Sequence, residues 1–220
     1  MSLPISPAYI IRGRLSVPGD KSISHRALKL GAIVEGETRI RGLAPGEDAH
    51  STLKCLQQLG VSIQEQDGEI IVHGRGLAGL QKPAAVLDAG NSGSTIRLLA
   101  GILAVQPFTT TITGDASLCR RPMRRIIEPL TQMGATITAQ ENGCAPLTIR
   151  GGKLQGIHYR LPVASAQVKS CILFAGLGTD SETIVEEYVP TRDHSERMLR
   201  KMGANISVTS NQYSVISNRI

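Results

Sequence analysis

The chain has 220 residues, 41% of them hydrophobic and 19% charged, with 3% aromatic and no Trp. That balance excludes a disordered chain, requires an aliphatic core, and is enough for one large domain or two small ones. A formal net charge of +6 attracts anions, but two Phe and four Tyr make a poor base-stacking platform, so a small phosphorylated ligand fits better than nucleic acid.

In chain order, the opening MSLPISPAYIIRGR lacks the long apolar core of a signal peptide. No later apolar run is long enough to cross a bilayer, so a cytoplasmic protein with no membrane partner is expected. A strand is expected near Arg14 to Val17. Ser24 to Val34 reads as a buried helix, and Asp48 to Leu59, which mixes charges with one apolar stripe, as a surface helix. At Leu59-Gly60-Val61-Ser62-Ile63 the Gly provides a left-handed cap and the following alternation begins a half-buried strand. Asp67-Gly68 then turns the chain, and Glu69-Ile70-Ile71-Val72-His73 closes a hairpin.

The same succession occurs twice more. Apolar helices are expected over Ser92 to Val105 and Ser165 to Leu177, and surface helices over Arg121 to Met133 and Asp193 to Met202. Met133-Gly134-Ala135-Thr136-Ile137 and Met202-Gly203-Ala204-Asn205-Ile206 repeat the cap and strand, the glycines lying 74 and 69 residues apart. Turns follow at Glu141-Asn142-Gly143 and Ser210-Asn211-Gln212. The pattern is an α/β (α+β) chain with a threefold repeat of a βαβαββ unit, its buried helices clustered inside and its sheets outside. Approximate repeats are 19–80, 81–152 and 153–220, within a single domain over 1–220. Cys55, Cys119, Cys144 and Cys171 are far apart, with no CxxC and no His at ligand spacing, so they read as reduced thiols and no metal site is expected.

Each buried helix opens on small polar residues followed by a cation: Lys21-Ser22-Ile23-Ser24-His25-Arg26, Gly90-Asn91-Ser92-Gly93-Ser94-Thr95-Ile96-Arg97, and Ala164-Ser165-Ala166-Gln167-Val168-Lys169. Arg26, Arg97 and Lys169 are spaced by 71 and 72 residues, the period of the repeat. Unpaired N–H groups and a partial positive charge make a helix N-terminus an anion site. For any one helix, Ser22, Ser92 or Ser165 is equally an ordinary N-cap and the cation a snorkelling side chain; three ends in register favour a shared ligand. Val17-Pro18-Gly19-Asp20-Lys21-Ser22 is not a Walker loop, since Asp20 separates its one Gly from Lys21.

Taken together, these segments resemble the EPSP synthase family over essentially the whole chain. Val17 through Ala27 is similar to the family's first signature, Leu87 through Arg97 to its second, and Gly114-Asp115 through Arg120-Arg121-Pro122-Met123 to its third. Ser165-Ala166-Gln167-Val168-Lys169-Ser170 and Arg192-Asp193-His194-Ser195-Glu196-Arg197 are similar to bacterial members. The resemblance implies one domain of the enolpyruvyl transferase fold. The implied reaction transfers the enolpyruvyl group of phosphoenolpyruvate to the 5-hydroxyl of shikimate 3-phosphate, in aromatic amino acid biosynthesis, without cofactor. It also implies that Ser22, Arg26, Ser165, Ala166, Gln167 and Arg192 hold shikimate 3-phosphate. Lys21, Asn91, Gly93 and Arg121 would hold phosphoenolpyruvate, with Gln167 near both ligands and glyphosate as an inhibitor at Gly93.

Lys21 is the candidate catalytic residue, either as a purely electrostatic group or as a proton carrier crowded by cations. Arg121 precedes Pro122, which suits the first turn of a helix. His25 is expected to be structural, and Asp193-His194 is either a catalytic pair or a helix cap. Cys119 sits in a region comparable to the loop cysteine of UDP-N-acetylglucosamine enolpyruvyl transferases, but without that family's surrounding sequence. The resemblance further implies a second domain of similar size, absent here, that carries the acid-base residues. The chain is therefore expected either to be half of an active-site cleft, inactive alone, or to be a binding module for a phosphorylated ligand.

Overall fold

The computed structural model describes residues 12–216 together with Pro7 and Ile10. Its elements are α1 (Lys21–Ile33), β1 (Glu35–Arg41), α2 (Glu47–Gln58), β2 (Ser62–Gln66) and β3 (Glu69–Arg75), then β4 (Leu87–Asp88), α3 (Gly93–Ala104), β5 (Thr109–Thr113), α4 (Arg124–Gln132), β6 (Thr136–Thr138) and β7 (Leu147–Arg150). The last group is β8 (His158–Arg160), α5 (Ala166–Gly176), β9 (Thr183–Glu186), α6 (His194–Lys201), β10 (Asn205–Thr209) and β11 (Gln212–Ile216). The βαβαββ order is complete in the second and third groups.

Three sheets follow, ordered β1-β3-β2, β4-β5-β7-β6 and β8-β9-β11-β10. In the two four-stranded sheets the leading strand pairs parallel with its neighbour, β4 with β5 and β8 with β9, and every other pairing is antiparallel. Parallel neighbours need a crossover, which α3 and α5 provide. The first sheet has no such leading strand among the described residues. Residues 12–20 form no strand, which corrects the expectation for Arg14 to Val17. The alternation of Leu15 and Val17 suits a strand, but pairing needs an adjacent edge; these side chains remain 86% and 75% exposed.

The helices divide as their sequences suggest. Ten of the twelve residues of α3 are buried, whereas α2 buries four and α4 three on one face. Leu28 and Leu30 of α1, Leu98, Leu99 and Ile102 of α3, and Ile172, Leu173 and Phe174 of α5 are fully buried in one continuous core. Truncating one of these leucines to Ala costs ~2–5 kcal/mol, a large share of a domain's net stability. Gly60, Gly134 and Gly203 follow the three surface helices with φ of +85°, +108° and +93°, the left-handed conformation that ends each helix and starts its strand. No helix among the described residues is long and apolar enough to cross a membrane.

Two helix starts differ from expectation. The cap of α1 is Asp20, whose carboxylate accepts the Ile23 N–H at 2.8 Å, rather than Ser22. A carboxylate suits the positive end of the helix better than a hydroxyl, and it leaves Ser22 within the first turn with its side chain available. Arg121 lies outside α4, with extended φ −86° and ψ 130°, because the residue before a proline avoids the α region.

Candidate anion site at the helix N-termini

The first turns of α1, α3 and α5 meet and are cross-linked by side chains. Ser92 and Ser165 cap α3 and α5 as expected, accepting from Thr95 N–H at 3.1 Å and Val168 N–H at 3.3 Å. Between α3 and α5, Gln167 donates from Nε2 to Ser94 Oγ at 2.9 Å and accepts from Arg97 Nη1 at 3.2 Å. Between α1 and α5, Arg26 Nη2 donates to Ser170 Oγ at 2.8 Å. Between α1 and α3, His25 Nε2 lies 3.5 Å from Ser92 Oγ.

Around this junction the sequence-predicted residues take up distinct positions. Lys21 Nζ is 2.6 Å from Asp48 Oδ2 at the start of α2, with its side chain 60% exposed. The cations expected to crowd it are thus accompanied by a carboxylate. Ser22 Oγ accepts from Arg192 Nη1 at 3.0 Å, joining residues 170 positions apart. Arg26 is buried, donating from Nε to Ser195 Oγ at 2.6 Å and from Nη1 to the Ser22 carbonyl at 3.0 Å. Asn91 donates to Asp115 Oδ2 at 2.7 Å and accepts, through Oδ1 and its carbonyl, from Arg121. A methyl group on Gly93 would lie 2.6 Å from Arg97 Nη1 and 3.6 Å from Arg121 Nη1, so the missing side chain opens the space between two guanidinium groups.

Positive charge is concentrated around Arg97, while Asp20, Asp48 and Asp115 bring carboxylates to the rest of the junction. Burial lowers the pKa of Arg97, and the cations Arg121 and Arg125 lower it further. Burial also lowers that of Arg26, with Glu196 opposing and Arg192 adding to the shift. His25 is fully buried, and burial followed by Lys29, Lys21 and Arg26 pushes it down to about 2. It therefore stays neutral at ordinary pH, as a structural residue should. Asp115 is held below the usual carboxylate range by the Leu118 N–H and the Asn91 amide.

Lys169 is the clear exception among the three cations in register. It is fully buried, 2.7 Å from Glu187 Oε2 and 2.5 Å from Glu196 Oε1, and does not face the site. Asp193 and His194 approach only to 4.0 Å, too far for a hydrogen-bonded catalytic pair, and Asp193 stands at the α6 cap position without a capping bond. The Cys119 thiol donates to the Gly114 carbonyl at 3.3 Å. Among the described residues no group of three or more His, Cys, Asp or Glu is placed to hold a metal ion. Asp48 and Asp115, which hold Lys21 and Asn91, lie 27 and 24 residues away, and although Asp115 falls in the third signature nothing in the sequence pairs either with its partner.

The family model for EPSP synthase (3-phosphoshikimate 1-carboxyvinyltransferase) matches residues 5–219. The chain belongs to the EPSP synthase family. It is 55% identical over 215 residues to the 3-phosphoshikimate 1-carboxyvinyltransferase of Solibacter usitatus, a match covering 98% of this chain and 50% of that protein. To the protein of the same name from Alkalilimnicola ehrlichii it is 58% identical over 205 residues, covering 92% and 46%. The EPSP synthase of Acinetobacter baumannii, solved at 2.37 Å, superposes with a TM-score of 0.90 at 51% identity, over 94% of this chain and 47% of that one. The chain thus spans about half the length of the EPSP synthases it matches, and the threefold arrangement of helices and sheets is one domain of the enolpyruvyl transferase fold.

Proposed function

We propose that the chain supplies one wall of the active site of a 3-phosphoshikimate 1-carboxyvinyltransferase, which transfers the enolpyruvyl group of phosphoenolpyruvate to the 5-hydroxyl of shikimate 3-phosphate and releases phosphate. The observation that carries this reading is the junction of three helix N-termini, tied together by Arg26 and Gln167 and joined by Arg192 at Ser22. Helix ends and guanidinium groups at one place favour a ligand with several negative charges.

On this reading Ser22, Arg26, Ser165, Ala166, Gln167 and Arg192 hold shikimate 3-phosphate. Arg26, already engaged with Ser195 and Ser170, acts by its field and by fixing the Ser22 carbonyl, while Arg192 and Ser22 contact the ligand directly. Lys21, Asn91, Gly93 and Arg121 hold phosphoenolpyruvate, Gln167 lies near both, and glyphosate competes beside Gly93. Addition of the 5-hydroxyl oxygen to the enol carbon, with protonation of the methylene, gives a tetrahedral centre that carries the phosphate. Loss of phosphate and of a methyl proton restores the double bond. Lys21 and the guanidinium groups stabilise the charge held at that centre, with Lys21 exchanging Asp48 for the substrate. The acid-base residues belong to the other half of the cleft.

A phosphate-release assay tests this reading. The chain alone is expected to be inactive. Mixed with a separately expressed polypeptide carrying the remaining half of the Acinetobacter baumannii enzyme, it is expected to release phosphate only when both substrates are present. Retained ligand binding with no turnover on mixing would favour the binding-module alternative.

A further inference from the structure

Lys169 comes from the central helix α5, yet its two carboxylate partners flank a single loop. Glu187 directly follows β9, Glu196 lies in the first turn of α6, and the connection between them carries Arg192. The face of Tyr213, from β11, covers the ammonium at 3.9 Å from its ring centroid. Burial by itself would push the Lys169 ammonium down, but the hydrogen bond to Glu187 and the nearby Glu196 carboxylate outweigh it and raise its pKa.

Glu187 also closes the loop on itself. Its carboxylate accepts from the Thr191 N–H at 3.2 Å and from the Thr191 hydroxyl, and its own N–H donates to the Asn211 carbonyl at 2.8 Å. The chain between bulges outward, leaving Tyr188 and Val189 80% and 55% exposed. The next residue after Thr191 is Arg192, which reaches Ser22. On the far side, Ser195 accepts from Arg26 and lies 2.6 Å from Ser170 Oγ. Both ends of the Arg192 loop are therefore fastened to the helices whose N-termini form the anion site.

A buried ion cluster is a poor source of stability, because apolar side chains of equal volume often do as well. Its geometry has a different consequence. We propose that Lys169, Glu187 and Glu196 form a clamp that fixes the Arg192 loop, with Thr191 passing that constraint to Arg192 so that its guanidinium is held at Ser22. These four are positioning residues, and the effect on ligand affinity rests on the reading of Arg192 as a contact to shikimate 3-phosphate.

Removing Lys169 alone would strand two buried carboxylates, so the test uses Thr191→Val, which deletes one donor to Glu187 without stranding a buried charge. Amide hydrogen exchange of the unliganded chain is expected to rise at least about tenfold at residue 191, whose N–H bonds Glu187, with amides of α5 and β9 unchanged. Thr191→Ser is expected to restore it. By calorimetry with shikimate 3-phosphate, Thr191→Val is expected to weaken binding roughly tenfold, as for loss of a hydrogen bond to a charged group, and to cause no further loss in an Arg192→Ala background. Unchanged loop exchange overturns the clamp, as does equal weakening in both backgrounds. If the unsubstituted chain binds no shikimate 3-phosphate, the ligand assignment fails, while the exchange result still decides the clamp.

Discussion

Lys29 gives the sharpest thermodynamic prediction. It is fully buried in α1, and among the described residues its ammonium reaches only the Thr52 hydroxyl at 3.1 Å and the His25 carbonyl at 3.5 Å. Burial pushes its pKa from 10.5 down to about 7, and the Arg26 cation adds to the fall. Cys55 is pushed up to about 11 by burial, so it remains an uncharged thiol over the range that matters. Between the folded and unfolded values the unfolded chain holds a proton that the folded chain has released, so stability rises with pH through that window and falls as pH drops toward 7. At about 1.4 kcal/mol per pH unit for a full proton, raising pH from about 7 to about 8.5 adds roughly 1.5 kcal/mol. The cost of the buried amine at pH 7 is up to roughly 4 kcal/mol on the same scale. His25 contributes at lower pH, below its ordinary 6.5, and Cys55 and Cys171, raised by burial from 9.0, oppose the rise as pH approaches 9. Lys29→Met should therefore stabilise the chain at pH 7 and abolish the slope, read from urea denaturation at matched ionic strength. An unchanged slope in Lys29→Met, or a wild-type chain equally stable at both pH values, would refute the reasoning.

Gly93→Ala places a methyl group between the Arg97 and Arg121 guanidinium groups. The Arg97 guanidinium must shift to admit it, so Tm should hold or fall slightly, while glyphosate inhibition of the reconstituted two-part enzyme weakens; unchanged inhibition would remove Gly93 from the site. Lys21→Met breaks an exposed ion pair with Asp48 and should change stability by less than about 1 kcal/mol. Its phosphate release should nonetheless fall by at least about 100-fold, the scale of losing one preorganised charge, and wild-type turnover would make Lys21 a surface residue.

Features governed by local chemistry were legible in the sequence. Gly60, Gly134 and Gly203 mark the helix ends because each needs a left-handed backbone, and Ser92 and Ser165 mark helix starts because a cap bonds within three residues. Features governed by distant partners were not. Lys169 shares the spacing of Arg26 and Arg97, yet its direction is decided by Glu187 and Glu196, 18 and 27 residues further on. Lys21 reads as a free cation until folding brings Asp48 beside it. Arg14 to Val17 has a strand's pattern, but a pattern cannot supply the edge it would pair with. The small polar residues and cations point to the helix ends as an anion site and the resemblance implies its ligands; only the fold shows which side chains are bound to one another there.

The central claim is that three helix N-termini form one site for a phosphorylated ligand, and backbone amide shifts measured by NMR during titration with shikimate 3-phosphate test it most directly. The account predicts saturable shifts that share a single dissociation constant at residues 21–26, 91–97 and 165–169, with shikimate lacking the phosphate binding much more weakly. Shifts confined to one helix end, or absent from all three while the chain remains folded, would contradict it.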